Sequence, residues 1–217
     1  MRNKLSVKYM VLLAMLAAVA YMMVSLIRIP VVLFLSYEPK DVIITIGGFL
    51  LGPMASFIIS LVVSLLEMVT ISQTGPIGCL MNLLSTCAFA CTAGFVYKKK
   101  HTMSGAVCGL LLGSVVMVVT MLLWNWLITP LYMTGTSRAD VAGMLLPVFL
   151  PFNLLKAGLN SAMILLLYKP VVSALRKTGL VPTPAKSAGS SKVGVYIFSG
   201  ILLVTCILFV LVFQGKI

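Results

Sequence analysis

The chain has 217 residues, 61% hydrophobic and 9% charged, with a formal net charge of +12. A soluble domain carries about a quarter charged residues, so this composition excludes an ordinary water-soluble fold and implies one integral membrane domain. Sixteen basic residues stand against four acids, Glu38, Asp41, Glu67 and Asp140, and the bases cluster between apolar runs, as the positive-inside rule expects, so no nucleic-acid partner is predicted.

In chain order, the basic start Arg2, Lys4 and Lys8 precedes an apolar run over 9–27. It is long for a signal peptide and reads as a first span with a cytoplasmic N-terminus. Its Ala14 and Ala18 form a small-xxx-small pair, which lets another helix approach closely. The next run, 42–71, has thirty residues, about 45 Å as a helix. That is too long for one span and too short for two full ones. Gly52-Pro53 inside it predicts a break. With the break, Lys98-Lys99-Lys100-His101 and the loop after 144–168 return to the side of the N-terminus, and eleven of the sixteen basic residues become cytoplasmic.

Further apolar segments lie at 79–97, 104–128, 144–168 and 193–213. The expected fold is an all-α integral membrane protein. Six segments fill residues 1–178, some short and lining a cavity. Residues 179–192, Pro/Ser/Gly-rich, form a cytoplasmic linker, and 193–213 an accessory transmembrane anchor outside the site.

On this topology Glu38, Asp41 and Asp140 fall in outer loops, and Glu67 near the outer end of the third segment. Asn125 lies between Trp124 and Trp126 near the outer end of the fifth. In the sixth, Asn153, Lys156 and Asn160 are spaced i, i+3, i+7 and form one helical stripe. An ionisable group there costs about 2.5–3.5 kcal/mol to insert, so Lys156 must face the bundle or a cavity. The alternatives are that Lys156 snorkels or pairs with Glu67, and that the asparagines only join helices, the preferred reading for Asn160.

Five cysteines without a C-x-x-C, and His101 alone, make no metal site. No Walker A motif or Ser-His-Asp constellation is present, so no catalytic residues and no enzymatic activity are predicted.

Several pieces, in order through residues 1–180, resemble the substrate-binding S components of energy-coupling factor (ECF) vitamin transporters, the riboflavin type most of all. They are Pro39-Lys40-Asp41-Val42, Gly52-Pro53, Thr74-Gly75-Pro76-Ile77-Gly78 with Met81-Asn82, Trp124-Asn125 with Pro130-Leu131-Tyr132, and Leu150-Pro151-Phe152-Asn153-Leu154-Leu155-Lys156. The last is the most specific. The resemblance implies a six-helix S component in the bacterial cell membrane with an outward-facing vitamin site. It implies partnership with a membrane scaffold (T) subunit, docked through Ala14 and Ala18, and with two cytoplasmic ATPase subunits. No cofactor is expected; riboflavin is the transported ligand, held by Asn125, Asn153 and Lys156. The first outer loop, with Tyr37, Pro39 and Lys40, would form a lid, and Thr74, Gly75 and Glu67 would add contacts. Tyr37, Trp124 or Trp126 would flank the flavin ring. Glu67 and the span 193–213 depart from the family pattern. The competing readings are an S component for another vitamin, or a structural or regulatory membrane protein without transport.

Overall fold

The break at Gly52 organises the whole molecule. In the computed structural model, which describes residues 7–72, 75–133, 135–177 and 193–213, helix α1 spans Val7–Leu26. A hairpin of β1 (Ile29–Val32) and β2 (Leu35–Tyr37) follows. Then come α2 (Lys40–Leu51) and α3 (Pro53–Thr70), separated by Gly52. Gly52 sits at φ +97° and ψ 169°, an essentially glycine-only conformation that costs a side-chain-bearing residue about 1–3 kcal/mol. Its N–H donates to the Gly48 carbonyl at 2.8 Å and closes α2, while Pro53 opens α3 from the first helical position.

Helices α4 (Gly75–Lys99) and α5 (Met103–Tyr132) form an antiparallel pair. Lipid is as apolar as leucine, so close backbone approach drives such packing. A Cβ on Gly113 would lie 2.6 Å from the Phe89 carbonyl, and one on Gly109 would lie 2.8 Å from that of Ala93. The glycines thus let α5 rest directly on the α4 backbone.

A short α6 (Arg138–Met144) opens with a capping box between Ser137 and Asp140. It runs through a π-helical turn, Leu145–Phe149, into α7 (Leu150–Lys177). Pro147 in that turn has no N–H to donate, and the widened turn accommodates the loss. Helix α8 (Val193–Phe213) packs along α7, where Cys206 meets Gly158.

Among the described residues, six helices are long and apolar enough to cross a membrane: α1, α3, α4, α5, the α6–α7 unit and α8. With its 12 residues α2 is too short, yet it is almost wholly buried, enclosed by α1, α3, α4 and α7. The chain is therefore a multi-pass membrane protein with a half-length helix inside the bundle. Lys98 and Lys99 and the Gly52 break lie at one end, with Phe49, Tyr97, His101 and Tyr168 in aromatic contact there. The hairpin, α6 and the start of α7 lie at the other.

One feature corrects the expectations and a second adds to them. The first outer segment, read as a loop, holds a two-stranded sheet whose tip is Leu33 at φ +50°. Positive φ at a tight hairpin turn follows the right-handed strand twist, which glycine or asparagine usually serves. Helix α8, read as an accessory anchor, adds a contact that reading did not include: it joins a buried cluster. There Cys206 packs with Val31, Leu35, Phe149, Phe152 and Leu159, and Leu202, Leu203 and Val210 flank them. It therefore braces the hairpin from the side. The linker over 179–192 lies outside the described residues.

Candidate ligand-binding site

Charge collects at the hairpin end. Asp41, in the first turn of α2, is fully buried. A carboxylate is favoured at a helix N-terminus, where unpaired backbone N–H groups point outward. Its Oδ1 accepts from Thr86 at 2.6 Å. Its Oδ2 accepts from Lys156 Nζ at 3.1 Å and from Asn160 Nδ2 at 3.3 Å. Asn160 in turn accepts from the Tyr37 hydroxyl at 3.1 Å. Lys156 also donates to Ser85 Oγ at 3.3 Å. The stripe Asn153-Lys156-Asn160 thus faces α2 and α4, not lipid.

One expectation and one alternative reading change here. Asp41 lies in a buried helical turn rather than an outer loop, because α2 begins at Lys40. Lys156 pairs with Asp41 rather than Glu67, because Glu67 is taken by another lysine. Lys40, itself only 1% exposed, binds Glu67 through both carboxylate oxygens, at 2.6 Å for Oε2, and Glu38 at 2.7 Å. Glu67 accepts a further bond from Asn82 Nδ2 at 2.9 Å. Glu38 also binds Arg28 Nε at 3.1 Å, and Arg28 donates to the Ile71 carbonyl at 3.3 Å. Buried charges are tolerable only when paired in this way.

Two adjoining cavities open beside this network. The deep one, about 30 Å³, is lined by Asn153, Lys156, Ser85, Asn82, Met121 and Phe152 from the helices, and by Phe34 and Glu38 from the hairpin region. The outer one, about 300 Å³, is lined by Glu67, Asn82, Ser72, Arg28 and Ser36, with Phe34 and Leu33 from the hairpin tip. Phe34 belongs to both, as do Arg28, Ser36, Met81 and Asn82. Asn153 donates to the Phe149 carbonyl at 2.7 Å, at the end of the π-helical turn. That bond fixes its amide against the deep cavity.

The remaining sequence-predicted residues scatter. Tyr37, the last residue of β2, and Pro39 are buried and line neither cavity, and Lys40, paired with Glu67, also lines neither. Gly75 begins α4 at φ +55°; Thr74 lies outside the described residues. Asn125 is fully buried, donating to the Met121 carbonyl at 2.7 Å and accepting from Thr129 at 3.1 Å. Trp124 packs on the core and Trp126 is exposed; neither lines a cavity. Ala14 and Ala18 are both exposed on one face of α1. Sequence reasoning missed Arg28, Phe34, Ser36 and Ser85 as lining residues. For Arg28 there was a signal, a lone cation just after the first span.

Residues 8–168 match the family described as ECF transporter, substrate-specific component. The chain belongs to that family. Among relatives of this S component, the riboflavin transporter RibU of Staphylococcus aureus (strain TCH60) is 29% identical over 187 residues, covering 81% of this chain and 98% of that protein. The riboflavin transporter FmnP of Bacillus subtilis (strain 168) is 27% identical over 168 residues, covering 70% and 85%. A solved structure described as the S component of a bacterial ECF transporter superposes with a TM-score of 0.65 at 28% identity. It covers 77% of this chain and 96% of its own. The family match ends before α8 begins.

Proposed function

We propose that this S component captures riboflavin from outside the cell and delivers it inward together with a membrane scaffold subunit and two ATPase subunits. One observation carries the reading: Asn153 and Lys156, buried in an apolar helix, converge on a cavity beneath a hairpin. Riboflavin presents a flat apolar ring with one edge of alternating donors and acceptors. An asparagine amide offers both functions, and an ammonium donates to a carbonyl or ring nitrogen. Lys156 uses two of its three donors on Asp41 and Ser85, which leaves one for the ligand.

The relatives named as riboflavin transporters support this choice over other vitamins. The deep cavity is far smaller than the ~300–1,000 Å³ of small-molecule sites. A three-ring system needs more room than that, and we take the hairpin, whose Phe34 lines both cavities, to be the lid that opens. Glu67, with Asn82, lies where hydroxyls of the ribityl chain would reach it. Ala14 and Ala18 offer an exposed small-residue face to the scaffold subunit. ATP hydrolysis belongs to the partner subunits, and this chain needs no cofactor. The N-terminus lies in the cytoplasm of the bacterial cell membrane, because the basic end of the bundle follows the positive-inside rule.

The test is spectroscopic. Protein purified from a riboflavin-containing host is expected to be yellow, and stripped protein to quench the fluorescence of added riboflavin. A colourless protein that leaves riboflavin fluorescence unchanged would refute the assignment.

A further inference from the structure

Among the described residues, three cations and three carboxylates surround the two cavities: Arg28, Lys40 and Lys156 against Glu38, Asp41 and Glu67. All six are ion-paired, and their charges sum to zero. Lys40 and Asp41 stand behind the cavity walls, whereas the outer cavity is lined by one charge of each sign, Arg28 and Glu67, with Ser36, Ser72 and Asn82 as its other polar side chains. A phosphate brought into such a balanced site finds no spare counter-charge, so it gains no ion pair to offset the hydration it gives up.

We propose that Glu67 is a specificity-determining residue. It holds the outer cavity at zero net charge, so the site accepts an uncharged hydroxylated chain and rejects the same chain ending in phosphate. The proposal rests on the flavin reading above and adds which flavin is chosen. A carboxylate has about four acceptor positions. Lys40 and Asn82 make three bonds to Glu67, two of them to Oε2, so capacity remains for a ligand hydroxyl. A phosphate brings acceptors and negative charge to the same place. Glu67→Gln leaves three cations against two carboxylates, a surplus of one positive charge. Arg28→Gln leaves the opposite surplus. A purely structural role would not move discrimination in opposite directions.

The experiment measures fluorescence quenching of riboflavin, riboflavin 5′-phosphate and lumiflavin, which lacks the side chain, by the full-length protein in detergent. Glu67→Gln is expected to narrow the preference for riboflavin over its phosphate by about tenfold, and Arg28→Gln to widen it, with lumiflavin affected least. Arg28 is the most exposed member of the set, so its variant carries the test alone if Glu67→Gln does not fold. Preferences that stay put, or that move the same way in both variants, overturn the role of Glu67 while leaving the flavin assignment standing. A wild-type protein that quenches none of the three removes both.

Discussion

Lys156 and Asp41 depend on each other in two ways, and substitution separates them. Lys156→Ala strands a fully buried carboxylate, which costs about 3–5 kcal/mol of stability as well as a ligand donor. Asn153→Ala removes an amide whose one donor is satisfied by its own helix. Its expected cost is about 1–3 kcal/mol of flavin binding, with little change in stability. Thermal unfolding in detergent beside fluorescence titration distinguishes the two. Equal loss of stability in both variants, or normal flavin binding by Asn153→Ala, would show the stripe to be helix glue. The lysine was legible in the sequence because a cation inside an apolar run needs a reason. Its partner was not, because Asp41 follows a polar loop and reads as loop. Only the start of α2 at Lys40 turns it inward. Asn160 was read correctly as a helix-joining amide, since it sits one turn deeper and meets Asp41 and Tyr37.

At the scale of elements, the helical break was readable because Gly52-Pro53 leaves the chain few alternatives. The hairpin was not, because strands of 4 and 3 residues carry too little alternation to show. Nor did the place of α8 show, since a uniformly apolar helix gives no sign of which side it buries. Its contact with the hairpin cluster yields a prediction. Removing residues 181–217 is expected to leave riboflavin binding intact but to speed its dissociation several-fold, because Leu203 and Val210 no longer support the lid. Stopped-flow dissociation measures this. An unchanged off-rate would reduce α8 to an anchor, and complete loss of binding would place it in the core of the fold.

For the whole molecule, the pattern of basic loops predicts which end faces which compartment. A cysteine placed at Leu33, on a background without the five native cysteines, is expected to react with a membrane-impermeant maleimide in intact cells. One placed at Thr102 is expected to react only after permeabilisation. The reverse pattern would invert the proposed direction of transport. The two arms of the broken segment also differ in length, 12 residues for α2 and 18 for α3. At about 1.5 Å per residue, α3 stands roughly 9 Å taller. The shorter arm is a step inside the bilayer, and Asp41, which holds Lys156 at the cavity, sits on that step. At the proposed site, a vitamin would rest below the outer end of α3 before any partner subunit acts. Binding would then complete part of the crossing, leaving the rest of the membrane's thickness to the proposed energised step.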